Sequence, residues 1–191
     1  RQKITFAYFA VGTLIVGLSL FAFVELRLIE EKILAGGRIS EFFDATLEIR
    51  RFEKNYFLYR QAGDLAETQR YVLQAQALLR ENMGVFDAIA SAARVTVLQQ
   101  ELAQYAALIG EYATLGDTST PRTEALEIRI RQAGKTIVTV AEEIARAERA
   151  TLQSSLDRHR RELLISIVVL VFVVIVIGQL LSRRVARPHK N

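Results

Sequence analysis

Residues 50–60, RRFEKNYFLYR, set five charged side chains among four aromatic ones on what otherwise reads as the core face of a helix. At 100° per residue Phe42, Ala45, Ile49, Phe52 and Tyr56 share one apolar arc, and Glu53 falls inside it. Arg50, three residues earlier, lies within reach of Glu53. Two chemistries are open to such a group. A half-buried Glu53–Arg50 pair would fix the register of a helical bundle, as polar residues at core positions do in coiled coils. Alternatively, Tyr56, Tyr71, Tyr105 and Tyr112, with Tyr59 beside them, would form a layer of phenols near Arg50, Glu53, Arg131 and Lys135. Gly134 would supply space there, because a mid-helix glycine costs about 1 kcal/mol against alanine and often marks a place where room is needed. With Glu53 claimed by Arg50, the spare charge of that layer is positive, which suits a small anionic ligand or an aromatic acid.

Catalytic constellations are absent from the sequence. It has no glycine-rich phosphate loop, no HExxH and no nucleophile elbow, and cysteine is missing altogether. Only two histidines occur: His159 in RHRREL, read as a solvated residue, and His189 near the end of the chain. The expectation is therefore a non-enzyme with no cofactor, no catalytic residue and no metal site. The 25 basic residues against 21 acidic ones give a net charge of +4. Six of the basic residues lie at the two ends, which leaves 19 against 21 between them, so nucleic acid has no basic patch to find.

The elements that must position these residues are helices. Val95, Leu98, Leu102, Tyr105, Ile109 and Tyr112 step by threes and fours in one seam, and Leu65, Val72, Leu79 and Phe86 recur at sevens. Leu126, Ile130, Ala133, Ile137, Val140 and Ile144 form a third seam, and Ile39, Phe42, Ile49 and Tyr56 a fourth. The reading is all-α: an antiparallel up-down-up-down four-helix bundle, its first helix from Glu25 to Ala62 and its fourth from Pro121 to Arg161. Gly63 is expected to close the first helix, and Asp64 with Glu67 to cap the second. A turn is expected between Ala88 and Arg94, with Gly84 as a rival position. Thr120-Pro121 should open the fourth helix. Gly36-Gly37 should break or kink the first, as a possible hinge.

Two apolar runs, residues 4–24 and 163–181, contain no charged residue and are long enough to cross a hydrocarbon core of about 30 Å. No small-residue cleavage site follows the first, which argues against a signal peptide. Positive residues flank both runs on their terminal sides (Arg1 and Lys3; Arg183, Arg184, Arg187 and Lys190). Residues 1–3 and 182–191 would then be cytoplasmic and 25–162 extracytoplasmic, in a two-pass protein of a bacterial inner membrane with its bundle in the periplasm.

The run GQLLSRRVARPHK, with Arg187-Pro188, resembles the entry to a HAMP linker, and RRFEKNYFLYR resembles a segment of the first sensor helix in the same superfamily. The chain is similar in layout to the input half of bacterial sensor histidine kinases and chemoreceptors. His189 stands where that pattern usually has leucine. The resemblance implies a homodimer in a lipid bilayer, a periplasmic ligand or protein partner, and a signal passed inward toward a transmitter that could follow residue 191. The rival expectation is an accessory subunit whose bundle docks a larger assembly. Contacts between copies would follow the apolar strip Phe43, Leu47 and Leu58.

Overall fold

The structure, a computed structural model, describes residues 2–116 and 119–185, with the side chains of 2–8, 10, 11, 14, 177 and 180–185 left out of the description. Among the described residues it is all-helical, with five α-helices and no strand: α1 (Gln2–Tyr59), α2 (Ala62–Glu81), α3 (Met83–Ile89), α4 (Ala92–Leu115) and α5 (Pro121–Val185). Two compact units result. Arg1–Lys32 with Leu152–Asn191 make the first, and Ile33–Thr151 the second.

The second unit owes its core to the seven-residue patterns. Every position of the α4 seam is buried, as are Ile39, Phe42, Ile49 and Tyr56 of α1 and Leu126, Ile130, Ala133, Ile137 and Ile144 of α5. Leu65 and Val140 are partly buried against the same core. Phe42 meets Phe86 of α3 edge-on at 5.1 Å, a pairing worth about 0.5–1.5 kcal/mol beyond area burial. Further along α1, Phe52 stacks on Tyr71 of α2 at 5.6 Å. Gln76 of α2 donates to the Leu102 carbonyl of α4 at 3.4 Å.

The corners only partly follow the cap chemistry. Thr120 opens α5 as expected, but its reciprocal partner is Thr123, with Thr120 N donating to Thr123 Oγ1 at 2.8 Å and Thr123 N to Thr120 Oγ1 at 3.2 Å. Gly63 does not close α1. Arg60 takes the left-handed conformation there, with φ 54°, while Gly63 lies inside α2. Asp64 consequently sits in the first turn of α2 behind the N-cap Gln61 and makes no side-chain cap. Glu67 turns instead to Arg70 at 2.5 Å. The expected second helix is interrupted at Asn82, whose Nδ2 donates to the Leu78 carbonyl at 2.8 Å, and Gly84 falls inside the short α3. Extended backbone at Ala90 and Ser91 then turns the chain into α4, inside the expected window.

Gly36 and Gly37 do not break α1, which runs through both. A different constraint operates at Gly36: a Cβ there would collide with Oε1 of Glu148, a residue of α5 that is 8% exposed. Gly37 faces open space and is exposed.

In the first unit Lys32 Nζ donates to Ser155 Oγ at 3.1 Å, and apolar side chains such as Val16, Leu20, Val168 and Phe172 are exposed. Among the described residues no helix is long and apolar enough to cross a membrane. This corrects the expectation of spans at 4–24 and 163–181 and, with it, the reading as a membrane protein.

The two adjacent glycines separate two effects. Gly37→Ala should stabilise the full chain by about 0.5–1 kcal/mol through helix propensity alone. Gly36→Ala must displace the Glu148 carboxylate and should fall short of that gain, which Glu148→Ala should restore. Urea unfolding of the four chains measures both, and equal gains at the two glycines would contradict the contact.

Candidate binding site

Glu53 lies on the buried face of α1 with its side chain 2% exposed. Each carboxylate oxygen has a donor. Arg50 Nη1 donates to Oε1, and the Tyr105 hydroxyl of α4 donates to Oε2 at 2.8 Å. Arg50 Nη1 also reaches the Arg131 carbonyl of α5 at 3.3 Å. The register pair expected from the sequence is thus formed, and it joins three helices.

Gly134 is buried on α5 directly against this pair. A Cβ there would lie 2.7 Å from Glu53 Oε2 and 2.9 Å from Arg50 Cδ. The space that the glycine leaves is therefore filled by the chain's own salt bridge. Burial pushes the Glu53 carboxyl above its ordinary value of 4.5, outweighing Arg50, the Tyr105 hydroxyl and Arg131, all of which favour the anion. Burial, with the neighbouring Glu53 charge behind it, likewise pushes the Tyr105 hydroxyl well up, so it remains a donor.

Above the pair, Arg50, Glu53, Lys54, Phe57, Leu58 and Arg131 line a cleft of about 270 Å³. Phe57 is its buried apolar wall, with the Arg131 guanidinium 5.1 Å from the ring centre. Arg131 is half exposed and stands 3.6 Å from Glu127. Three cationic side chains thus line the cleft with Glu53, whose oxygens accept from Arg50 and Tyr105, while Arg131 also has Glu127 beside it.

The remaining tyrosines do not join this cleft. Tyr56, Phe57 and Tyr112 form an aromatic cluster, with Tyr112 edge-on to the other two at 5.9 and 5.6 Å. The Tyr112 hydroxyl donates to Glu127 Oε1 at 2.9 Å and accepts from Arg60 Nη1 at 2.5 Å, while Arg60 Nη2 bonds the same Glu127 oxygen at 2.7 Å. Desolvation, then the Glu127 bond, raise the Tyr112 hydroxyl to about 12. These bonds anchor Arg60 in a backbone conformation that costs a non-glycine residue about 1–2 kcal/mol. Arg60 and Glu127 escaped the sequence reading, and their only signal was a cation at the end of one amphipathic helix and an acid beside Leu126 in another. Tyr71 packs on Phe52 beneath Arg70, whose guanidinium is 4.2 Å from its ring, and both Tyr59 and Lys135 are exposed. Phe43 packs partly against the core, whereas Leu47 and Leu58 are exposed. His159 is not solvated: its side chain is 15% exposed and meets Glu25. Arg187 and Pro188 lie outside the described residues.

No protein-family model matches the chain, and no curated protein or solved structure matches it either. Together with the lack of a membrane-crossing helix among the described residues, this overturns the resemblance to the input half of sensor kinases and chemoreceptors, including its HAMP entry.

The pair should respond asymmetrically to mutation. Arg50→Ala strands a buried carboxylate and should cost about 3 kcal/mol. Glu53→Gln keeps two acceptor sites on one amide oxygen and should cost about 0.5–1.5 kcal/mol. A carboxyl whose folded pKa is raised stabilises the fold fully below its unfolded value near 4.5, and that contribution is lost as pH rises through the folded value. Glu53→Gln should remove this downward slope. Urea unfolding between about pH 4 and 8 reads both effects, and equal costs with parallel pH profiles would contradict the buried pair.

Proposed function

We propose that the second unit is an up-down-up-down helical bundle that binds a small anion in the Arg50–Lys54–Arg131 cleft and answers by repacking α1 against α5. The observation that carries this is the cleft's charge: Arg50, Lys54 and Arg131 line it, against the Glu53 carboxylate, which already accepts two hydrogen bonds, and the Glu127 carboxylate beside Arg131. Its volume, below the about 300–1,000 Å³ of drug-sized pockets, suits a small carboxylate or inorganic anion, with Phe57 as an apolar wall.

Several contacts support the antiparallel arrangement. Along α1 and α5, Gly36 meets Glu148, Glu53 meets Gly134 and Arg60 meets Glu127, so one helix ascends as the other descends. Between α4 and α5, Arg94 pairs with Glu143 and Glu111 with Arg122 in the same sense. Phe42 with Phe86 and Phe52 with Tyr71 set α1 against α2 and α3, which together act as one leg.

The response follows from competition. An anion entering the cleft draws Arg50 away from Glu53, and the pair that fills the gap at Gly134 loosens. Shifts of about 1–2 Å between packed helices are a common switching repertoire. Such a ligand moves the equilibrium only by its different affinity for the two packings.

A screen of small carboxylates and inorganic anions against the full chain tests this reading. At a hundred times its dissociation constant, a ligand specific for the folded state adds about 2.7 kcal/mol. For a chain of this size that is a rise of roughly 5–10 °C in Tm. Arg131→Ala and Lys54→Ala should each reduce the rise, while Lys135→Ala should leave it intact. A hit indifferent to the first two substitutions places the ligand elsewhere. A broad screen without hits returns the bundle to the reading in which it docks a protein assembly.

A further inference from the structure

In the first unit a second cluster combines the chain's one described histidine with two carboxylates. His159 and Glu162 stand one turn apart on α5, and Glu25 approaches from α1. His159 Nδ1 lies 2.5 Å from Glu25 Oε2 and 3.7 Å from Glu162 Oε2. Both His159 Nδ1 and Glu25 Oε2 are closed off from water, yet neither makes a hydrogen bond of proper geometry. A carboxylate oxygen and an imidazole nitrogen thus face each other at close range without a well-directed hydrogen bond between them. Beside them opens a cavity of about 110 Å³, walled by Phe21, Ile29 and Leu163.

We propose that Glu25, His159 and Glu162 bind a divalent transition-metal ion, with Zn²⁺ the ion their chemistry fits best. One donor atom from each residue lies within 4.8 Å of the other two, which a single ion can bridge with bonds of about 2.0–2.2 Å once Glu25 withdraws from the ring and the half-exposed Glu162 closes in. Mixed imidazole and carboxylate ligands suit Zn²⁺, Cu²⁺ or Ni²⁺ better than Mg²⁺ or Ca²⁺, which prefer oxygen alone. Two carboxylates balance the double charge. The His-x-x-Glu spacing puts two ligands on one helical face, and the half-exposed Glu162 leaves the fourth position open to water. A bound ion would also turn the close approach of His159 and Glu25 from an unsatisfied contact into two coordinate bonds, clamping α1 to α5 within this unit.

The test uses the full chain without a histidine tag, stripped by a chelator and then dialysed against Zn²⁺. One Zn²⁺ per chain is expected, with a rise in Tm that chelator reverses. His159→Ala should abolish binding, and Glu25→Gln and Glu162→Gln should each weaken it by more than about tenfold, the scale of losing even an outer-shell partner. His189→Ala, removing the other histidine, should change nothing. Should His159→Ala lose its helical circular dichroism, Glu162→Gln decides the matter, because that side chain is half exposed and its loss leaves the packing intact. Absence of saturable binding to the wild-type chain overturns the proposal. So does equal affinity in the Glu25→Gln and Glu162→Gln variants, as does a stabilising His159–Glu25 ion pair in a chain that ignores Zn²⁺.

Discussion

A carboxylate stripped of water has to be compensated from within the fold, and Glu53 retains only 2% of its side-chain exposure. Its compensation comes from three helices at once: Arg50 from its own helix, the Tyr105 hydroxyl from α4, and a backbone on α5 that carries no side chain at Gly134. Removing any one would leave a charge, a lone pair or a collision in the middle of the core. The seams could be filled by many apolar residues of suitable volume, but this layer admits few alternatives. It therefore sets the register of α1 against α4 and α5, and the cleft above it inherits its geometry.

In the proposed function the same layer would connect stability to binding. Arg50 is one-third exposed, held by Glu53 below and open to the cleft beside Arg131. A side chain shared between a buried partner and a solvent-facing cleft is well placed to report on what enters the cleft. In the Arg60–Tyr112–Glu127 group, by contrast, the Tyr112 hydroxyl and Glu127 Oε1 are bonded to each other and to Arg60, while Glu127 Oε2 faces Arg131 at 3.6 Å.

The heptad seams were legible because apolar spacing depends only on helix geometry, and nearly all of their positions are buried. The Glu53–Arg50 pair was legible for the same reason, being local to one helix. What failed was non-local. Gly134 signalled a need for space, but the sequence could not show that Glu53 and Arg50 would fill it. The tyrosines were placed in one layer by counting along the helices, yet Tyr105 and Tyr112 spend their hydroxyls on internal carboxylates and Tyr71 faces another side of α1. Arg60 holds the left-handed turn expected of Gly63, because its guanidinium gains two partners on other helices. Glu25 and His159 stand near opposite ends of the chain, and only the fold brings them together.

Gly134→Ala, made in the wild-type chain and again with Glu53→Ala and Arg50→Ala, tests the central constraint through the sign of its effect. If Gly134 exists to admit the Glu53–Arg50 pair, alanine should destabilise the wild type by about 1–3 kcal/mol, the range for overpacking a filled core. With the pair removed, the same substitution should become neutral or stabilising by up to about 1 kcal/mol, the ordinary helix preference for alanine. Gly134→Ala that stabilises the wild-type chain as much as it stabilises the pairless one would contradict the account.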